Sequence, residues 1–398
     1  MSKKVKLSEI ANIKMGQSPS GDTCNDIGNG IALLNGPAEF TSYYPVPKQY
    51  TIDGKRFSDK GEILFCVRGS TTGRMNWGDQ KYALGRGLAS ISHKNGNEYN
   101  HFLKFLLQSN LKSLLNAANG STFPNLTSDI LASFELNVPE EKTQKTISFF
   151  LQSIDSKIEL NNRINAELEA IAKTLYDYWF VQFDFPDKKG NPYKTSGGKM
   201  IWNEELKREI PEGWEVKYLT DEMDLQYGYP FSTELFNEDG IGVPIIRIRD
   251  ILNCSISNYS TEEVDDKYRI YKGDIIVGMD GNFHINYWHR DNCYLNQRSL
   301  RIRSNNESIS VIQARYSIEP FIQAREKNVS RTTVAHLSAK DVNDLKMLKA
   351  DNEFQIKANS FFKSNLEKIV SNRIQNQKLV ELRDWLLPML MNGQVKIN

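Results

Sequence analysis

The chain contains two stretches that match each other position by position: Ser153–Leu175, SIDSKIELNNRINAELEAIAKTL, and Ser364–Leu386, SNLEKIVSNRIQNQKLVELRDWL. Identical residues recur at a constant offset of 211, without a gap. They are Ser153, Lys157, Ile158, Asn161, Asn165, Leu168 and Leu175, matched by Ser364, Lys368, Ile369, Asn372, Asn376, Leu379 and Leu386. Such agreement indicates an internal duplication, in which one structural plan is used twice.

Each stretch lies within a longer seam whose spacings alternate between four and three residues. The first seam runs Ile147, Leu151, Ile154, Ile158, Asn161, Asn165, Leu168, Ala172, Leu175 and Trp179. The second runs Ala358, Phe362, Asn365, Ile369, Asn372, Asn376, Leu379, Arg383, Leu386 and Leu390. This is the a/d pattern of a coiled coil. A helix of about 40 residues spans about 60 Å and is too long for one small domain to bury. We therefore predict two long antiparallel coiled-coil helices that pack on each other.

Asparagines occupy seam positions where leucine would pack better: Asn161, Asn165, Asn372 and Asn376. A buried asparagine costs stability but penalises a slipped register, because a displaced amide would face a leucine layer. Two interpretations remain open: control of the register, which we favour, and a solvated edge of an imperfect seam. Pro388 and Gly393 are expected to end the second helix, and Pro186 follows the first.

The duplication extends into the globular regions that precede the helices, at an offset of 212. Lys60–Leu64 matches Lys272–Ile276, and Gly69 then falls opposite Gly281. Short β runs, glycine loops and a helix near 101–116 indicate an α+β class, with two similar mixed α/β domains separated by the long helices and related by a pseudo-two-fold repeat. The predicted segments are a first globular domain at 1–139, long helix 1 at 140–182, a connector at 183–210, a second globular domain at 211–349, and long helix 2 with the C-terminal tail at 350–398.

Composition supports two domains and excludes several classes of protein. A chain of 398 residues exceeds the size at which one core stops growing. The four cysteines form no CxxC pair, which fits neither a disulfide framework nor a zinc ribbon. The sequence has no apolar signal segment and no apolar run of membrane-spanning length. We expect a soluble, cytoplasmic protein without a membrane partner.

The common catalytic motifs are absent from the sequence, which argues against an enzyme. Gly197-Gly198-Lys199 lacks the earlier glycine and the following hydroxyl of a phosphate-binding loop. Asn191-Pro192-Tyr193 lacks the second proline of an amino-methyltransferase tetrapeptide. Pro186-Asp187 with Glu205-Leu206-Lys207 matches a degenerate metal-dependent nuclease pattern, but the second part is expected to form a helix and turn with a structural role. The spacing of His284, His289 and Cys293 fits no common zinc site, and we predict no metal.

A glycine loop follows the matched strand in each globular region, at 67–74 and at 279–284. The strands match while the loop tips differ, which suits a shared scaffold that presents different base-reading side chains. The net charge supports DNA binding for the first globular domain only. Residues 1–139 contain 15 Lys+Arg and 11 Asp+Glu, whereas residues 211–349 contain 17 Lys+Arg and 21 Asp+Glu. Alternation also places Arg301 and Arg303 on one strand face, either solvated or facing phosphates. The predicted DNA-binding residues are Arg68, Ser70, Thr72, Arg74, Arg86, Arg247, Arg249, Asn282, His284, Gln297, Arg298, Arg301 and Arg331.

Five further stretches are distinctive: IPEGWEV at 210–216, NQR at 296–298, NNRIN at 161–165, NQKL at 376–379 and LLP at 386–388. On these stretches the chain, over essentially its whole length, resembles the specificity (S) subunit of type I restriction-modification systems. One departure is that Gly85-Arg86-Gly87 of the first domain stands opposite Asn296-Gln297-Arg298 of the second.

The resemblance implies a protein without catalytic activity or a cofactor of its own. It implies two target recognition domains, each reading one half of a bipartite asymmetric DNA site, with the helices setting the spacing. The implied partners are double-stranded DNA, two methylation subunits that use S-adenosylmethionine, and restriction subunits that use ATP and magnesium. Apolar residues off the seam would dock partner helices or the flanks of the domains: Ile164, Ile171, Leu382 and Trp385.

Two alternatives remain open from the sequence. One is the specificity subunit of a system in which a single partner carries both nuclease and methyltransferase. The other is a coiled-coil interaction protein that does not bind DNA.

Overall fold

The computed structural model describes residues 3–41, 43–118, 124–305, 308–327, 336–391 and 394–395. The chain divides into two compact units, Met1–Glu159 with Gln377–Asn398, and Leu160–Asn376. Each unit therefore contains one globular region and a part of each long helix. Because this division follows packing, the five segments predicted from the sequence stay a prediction.

In the first unit, the strands are β1 (Lys3–Lys6), β2 (Ala11–Met15), β3 (Cys24–Asn25), β4 (Ile31–Leu34), β5 (Gln49–Thr51), β6 (Phe57–Ser58), β7 (Ile63–Cys66), β8 (Met75–Trp77), β9 (Tyr82–Leu84), β10 (Leu88–His93) and β11 (Glu135–Val138). The helices are α1 (Leu7–Ile10), α2 (Asn100–Ser109), α3 (Leu111–Asn116) and α4 (Ser128–Ser133), and the long α5 (Glu141–Tyr176) begins here and continues into the second unit.

Two sheets pack against each other in this unit, with strand orders β2-β10-β7-β8 and β3-β5-β4-β9-β6. The second sheet contains the parallel pair β4 and β9, and β1 pairs separately with β11. Strand β7 is buried on both faces. Ile63 and Phe65 pack in the same cluster as helix α2, while Leu64 and Cys66 pack in the cluster that includes Leu84. This double burial explains why β7 is a continuous apolar run.

In the second unit, the strands are β12 (Met200–Asn203), β13 (Arg208–Pro211), β14 (Glu215–Tyr218), β15 (Met223–Tyr227), β16 (Phe236–Asn237), β17 (Val243–Ile246), β18 (Asn258–Ser260), β19 (Arg269–Ile270), β20 (Ile275–Gly278), β21 (Ile285–Tyr287), β22 (Cys293–Leu295), β23 (Ser299–Ser304) and β24 (Lys346–Lys349). The helices are α6 (Leu219–Glu222), α7 (Ile248–Ile251), α8 (Val311–Lys327) and α9 (Ala339–Asn343), and the long α10 (Asn352–Met391) begins here and continues into the first unit.

The second unit repeats the topology of the first, so the predicted duplication and α+β fold class are confirmed. Its sheets have the orders β15-β23-β20-β21 and β16-β18-β17-β22-β19, and β14 pairs with β24. The parallel pair β17 and β22 matches β4 and β9. One matched glycine has a clear physical reason. A Cβ on Gly228 would lie 1.8 Å from the carbonyl oxygen of Asn296, and one on Gly16 would lie 2.2 Å from that of Gly85.

Two expectations about element boundaries are wrong. Helix α10 continues through Pro388 to Met391, because Leu387, Leu390 and Met391 are buried in the core of the first unit and their packing offsets the missing amide. Gly393 lies outside the described residues. The Glu205-Leu206-Lys207 stretch lies in the turn of the β12–β13 hairpin rather than in a helix, since Ile201 and Ile210 pair across it.

The long helices pack antiparallel within the second unit. The Asn372 amide donates to Oδ1 of Asn165 at 2.8 Å, and the Asn161 amide donates to Oδ1 of Asn376 at 2.8 Å. Asn161 and Asn165 are buried, which favours control of the register over a solvated edge. In the first unit, Arg383 donates to Oδ1 of Asp155 at 3.2 Å.

Arg373 of α10 joins the helix pair to the globular part of the second unit. Its guanidinium donates to the Tyr287 carbonyl at 2.6 Å, to Oδ1 of Asn286 at 2.9 Å and to Oε1 of Glu169 on α5 at 3.1 Å. The Asn286 amide in turn donates to the carbonyls of Ile251 and Leu252, at the end of α7. A network of charge-assisted hydrogen bonds thus fixes α7 and β21 relative to α10.

We expect Asn165→Leu to lower the free energy of unfolding of the second unit by about 1–3 kcal/mol, because the Asn372 amide would lose its acceptor between the helices. Urea denaturation followed by circular dichroism measures the change. The double variant Asn165→Leu/Asn372→Leu should recover part of the loss, since the pair of opposed amides is removed together. A single variant as stable as the unchanged chain would contradict this pairing.

Candidate nucleic-acid interface

Three loops meet at one edge of the second unit and enclose an open cavity of about 510 Å³. They are the segment after β17, the β20–β21 loop and the β22–β23 loop. Because β17 and β22 are parallel neighbours, their carboxyl ends reach the same edge of the sheet. The residues that line the cavity are Arg247, Ile248, Arg249, Asn282, His284, Asn296, Gln297 and Arg298. The structure therefore brings together six of the side chains predicted from the sequence. We call this surface the recognition concavity.

Backbone hydrogen bonds hold the three loops of the recognition concavity together. The Asn296 amide donates to the Ile246 carbonyl at 3.0 Å, and the Met279 amide donates to the Arg298 carbonyl at 2.9 Å. The Leu337 amide donates to the Met279 carbonyl at 2.8 Å, which adds a fourth segment at the rim. The main chain is thus fixed by its own pairing, which leaves the side chains at the tips free to differ without loss of the frame.

The side chains of the recognition concavity offer donors and acceptors to an outside partner. Arg249, Asn282, Gln297 and Arg298 are exposed. The guanidinium of Arg247 is fixed by two contacts within the protein: its Nε lies 3.3 Å from Oδ2 of Asp250, and its Nη2 donates to Ser257 at 2.5 Å. Guanidinium and carboxamide groups at one surface suit the edges of bases and the phosphates beside them.

Arg298 makes one further contact that the sequence did not predict. Its Nη1 donates to Oδ2 of Asp280 at 2.9 Å, and Oδ1 of the same carboxylate lies 2.5 Å from Nδ1 of His336. Asp280 lies in the predicted glycine loop, so the sequence already indicated that it is near the site. His336 is 56 residues away from Asp280 in the sequence, and no sequence pattern indicated that it is near the site. Asn296, also missed as a site residue, carries a buried Oδ1 for which no hydrogen-bond partner is found among the described residues.

The first unit builds the same frame with different side chains. The Val67 amide donates to the Gly87 carbonyl at 2.9 Å, and the Gly85 amide donates to the Leu34 carbonyl at 2.8 Å. These bonds correspond to those of Met279 with Arg298 and of Asn296 with Ile246. Gly85-Arg86-Gly87 and Asn296-Gln297-Arg298 therefore occupy equivalent positions in the two units.

Four of the five residues predicted to bind DNA in the first unit are exposed: Arg68, Ser70, Arg74 and Arg86. Thr72 is instead buried, and its hydroxyl lies within hydrogen-bonding distance of two carbonyl oxygens, that of Gly69 at 2.7 Å and that of Pro124 at 3.0 Å. Because the hydroxyl is used inside the loop, Thr72 shapes the loop rather than facing a partner. Arg74 reaches the Pro37 carbonyl at 3.4 Å, which draws its side chain toward the segment after β4.

The expectation for Arg301 is wrong. Its side chain is only 4% exposed, forms an ion pair with Asp224, and donates to the Lys267 carbonyl at 3.3 Å. Arg303, on the same face of β23, pairs with Asp274 at 2.6 Å. The face that carries both arginines is covered by carboxylates, so Arg301 neither contacts solvent nor reaches phosphates. Arg331 lies outside the described residues.

The apolar residues predicted to dock partners remain exposed on the long helices. The exposed fractions are 38% for Ile164 and 47% for Ile171 in the second unit, and 44% for Leu382 and 66% for Trp385 in the first. These side chains are therefore accessible to another helix that packs on either surface.

The carboxylate, imidazole and thiol groups of the described residues are dispersed or have structural contacts. Among the described residues, no cluster of three or more His, Cys, Asp or Glu side chains could hold a metal ion. The carboxylates of the nuclease-like pattern have structural contacts: Asp187 accepts the amides of Lys189 and Asn191, and Glu205 pairs with Lys346. In the described part of the chain, no helix is both long and apolar enough to cross a membrane.

Comparison with known proteins gives one family. The chain matches the Type I restriction modification DNA specificity domain over residues 2–170 and 211–348. The Type I restriction enzyme MjaIX specificity subunit of Methanocaldococcus jannaschii is 24% identical, with 98% of this chain and 93% of that protein aligned. The Type I restriction enzyme HindI specificity subunit of Haemophilus influenzae is 25% identical, with 86% of this chain and 88% of that protein aligned.

A crystal structure of the type I restriction-modification S subunit from M. genitalium has the same fold. Its TM-score is 0.58 at 17% sequence identity, and the alignment covers 98% of this chain and 96% of that one. The family match includes both globular regions, which carry the two sets of loops described above. The chain therefore belongs to the DNA specificity family of type I restriction-modification systems.

Proposed function

We propose that this chain directs a type I restriction-modification complex to a bipartite, asymmetric DNA site, with each compact unit reading one half. The observation that carries the proposal is the repeated loop frame. Its backbone hydrogen bonds recur in both units, while the side chains at the tips differ. One frame with two different sets of side chains suits two different half-sites.

The proposed DNA-binding residues follow from the loops and exclude Arg301 and Thr72. In the first unit they are Arg68, Ser70, Arg74 and Arg86. In the second unit they are Arg247, Arg249, Asn282, His284, Gln297 and Arg298, all of which line the recognition concavity. Half or more of protein–DNA hydrogen bonds go to the backbone of the nucleic acid, so some of these side chains will position rather than specify.

The long helices have two proposed roles: they set the spacer between the half-sites, and their exposed apolar residues dock two methylation subunits. Restriction subunits would join through the resulting complex. We further propose that this chain is not catalytic and binds no cofactor. S-adenosylmethionine, ATP and magnesium would be used by the partners, and the complex would act in the cytoplasm. The five segments predicted from the sequence are proposed as its functional divisions.

The proposal is tested by selecting random duplexes with the complex assembled from this chain and its methylation subunits. A bipartite motif with a fixed gap is expected. A single uninterrupted motif, or no sequence preference, would overturn the proposal.

Arg68→Ala and Arg298→Ala serve as matched variants in that selection. Each should relax base preference in one half-site only, because the two arginines belong to different units, and the two half-sites should differ. Discrimination against the wrong base should fall by about 1–3 kcal/mol at the affected position. Lys217→Ala on β14, outside the recognition concavity, should leave both halves unchanged. Uniform weakening over all sequences would instead make the arginine a phosphate contact.

Insertion of one heptad into each long helix, after Leu160 and before Gln377, should lengthen the spacer and leave both half-sites unchanged. Seven residues add about 10 Å of helix, which corresponds to about three base pairs. A heptad keeps the seam in phase on both sides of the insertion. The same selection reports the gap length. A change in the bases of either half-site would contradict the role of the helices as a spacer.

A further inference from the structure

We propose that Arg298, oriented by Asp280 and His336, reads a guanine in the half-site bound by the second unit. Asp280 and His336 would then be positioning residues that determine specificity without touching the base. This inference rests on the proposed function and names the base class that one of its residues recognises.

The geometry brings three segments of the second unit to one point. Arg298 follows β22, Asp280 follows β20, and His336 follows α8 after a further segment of chain. The Asp280 carboxylate uses both oxygens, accepting from Nη1 of Arg298 at 2.9 Å and meeting Nδ1 of His336 at 2.5 Å. Asp280 and His336 are also joined by a main-chain β-bridge. The carboxylate is 25% exposed and the arginine 59%, so the arginine extends outward from a fixed acceptor.

Stability does not explain this arrangement. Arg298 has a φ of +63°, a left-handed conformation that glycine or asparagine adopts at lower cost than arginine. An ion pair with an arginine this exposed contributes little to folding. An arginine kept in an unfavourable backbone conformation, at the rim of a binding concavity, indicates that its side chain is needed there.

The pairing also decides what the guanidinium can bind. One N–H of Nη1 is committed to Asp280, which fixes the plane of the group while other N–H donors remain available. Guanine presents two acceptors, O6 and N7, in the major groove, and a planar fork of donors matches them. Adenine places a donor beside N7, which opposes the arginine. A carboxylate next to the guanidinium also repels phosphate, so a base edge is favoured over the backbone of the DNA.

The first unit has different residues at the positions of Arg298, Asp280 and His336, so the half-site that it binds serves as an internal control. Its equivalent β-bridge joins Arg68 and Asn125, where the second unit has Asp280 and His336. Gly87 stands where the second unit has Arg298, because each carbonyl accepts the matching amide of Val67 or Met279. A change at Asp280 should therefore affect only one half-site.

The test compares methylation rates on duplexes in which each half-site position is replaced by each base. It uses the complex of the full chain with its methylation subunits. The unchanged complex should prefer guanine at one position of the second half-site by about 5- to 150-fold, which corresponds to about 1–3 kcal/mol. Asp280→Asn should remove most of that preference. Binding to unrelated DNA should stay equal or tighten, because a negative charge is lost. The first half-site should not change.

Three further variants separate positioning from folding. Arg298→Lys keeps the charge but not the fork, and should lose the guanine preference while the salt dependence of binding is retained. His336→Ala should reduce the preference less than Asp280→Asn. Asp239→Asn, an exposed carboxylate outside the recognition concavity, should have no effect.

Several outcomes would overturn the inference alone: a bipartite site whose affected position is not guanine, full guanine preference in both Asp280→Asn and Arg298→Lys, or an equal loss on all bases. A complex without any bipartite site would overturn the proposed function, and this inference with it.

Discussion

The parallel pairing inside each unit, β4 with β9 and β17 with β22, is the constraint on which the recognition surface depends. Parallel neighbours end at the same edge of a sheet, so the loops that follow them must meet. The hydrogen bonds of Met279 with Arg298 and of Val67 with Gly87 then join the loop that follows β20 or β7, in the other sheet of each unit, to the same edge. Gly16 and Gly228 allow the chain after β2 or β15 to approach the β9–β10 or β22–β23 loop, because a side chain there would collide with the carbonyl of Gly85 or Asn296.

A frame held by backbone bonds separates folding from recognition. Main-chain groups at the loop bases are satisfied by one another, and the exposed tips contribute little to the core. Substitution at the tips therefore changes the side chains that the surface exposes, with little effect on the frame. The two units illustrate this, since Arg298 stands where the other unit has Gly87, and Asp280 where it has Arg68.

The long helices add a second constraint, which acts through polar rather than apolar contacts. The Asn372 amide donates to Asn165 and the Asn161 amide donates to Asn376, and both bonds require the helices to be in register. Arg373 then ties α10 to β21 and, through Asn286, to the end of α7. Since Arg247 precedes α7 and Arg249 lies in it, part of the recognition concavity is held by the same contacts that hold the helix.

Sequence periodicity was sufficient for the duplication, the antiparallel helices and the loops that line the recognition concavity, because each is a local or repeated pattern. It was insufficient where a distant residue decides the outcome. Arg301 has the alternation of an exposed strand residue, but Asp224 and the Lys267 carbonyl cover it. His336 completes the Arg298 contact from far along the chain. Pro388 remains helical because the surrounding leucines are buried.

The repeated frame supports the proposal that one chain binds two different DNA half-sites, one with each unit. Base-resolution mapping of methylated adenines, in cells that express this chain with its partner subunits, tests it most directly. We predict a motif of two unlike halves separated by a gap of fixed length. A methylated motif without a gap, two identical halves, or no methylated motif at all would contradict the account.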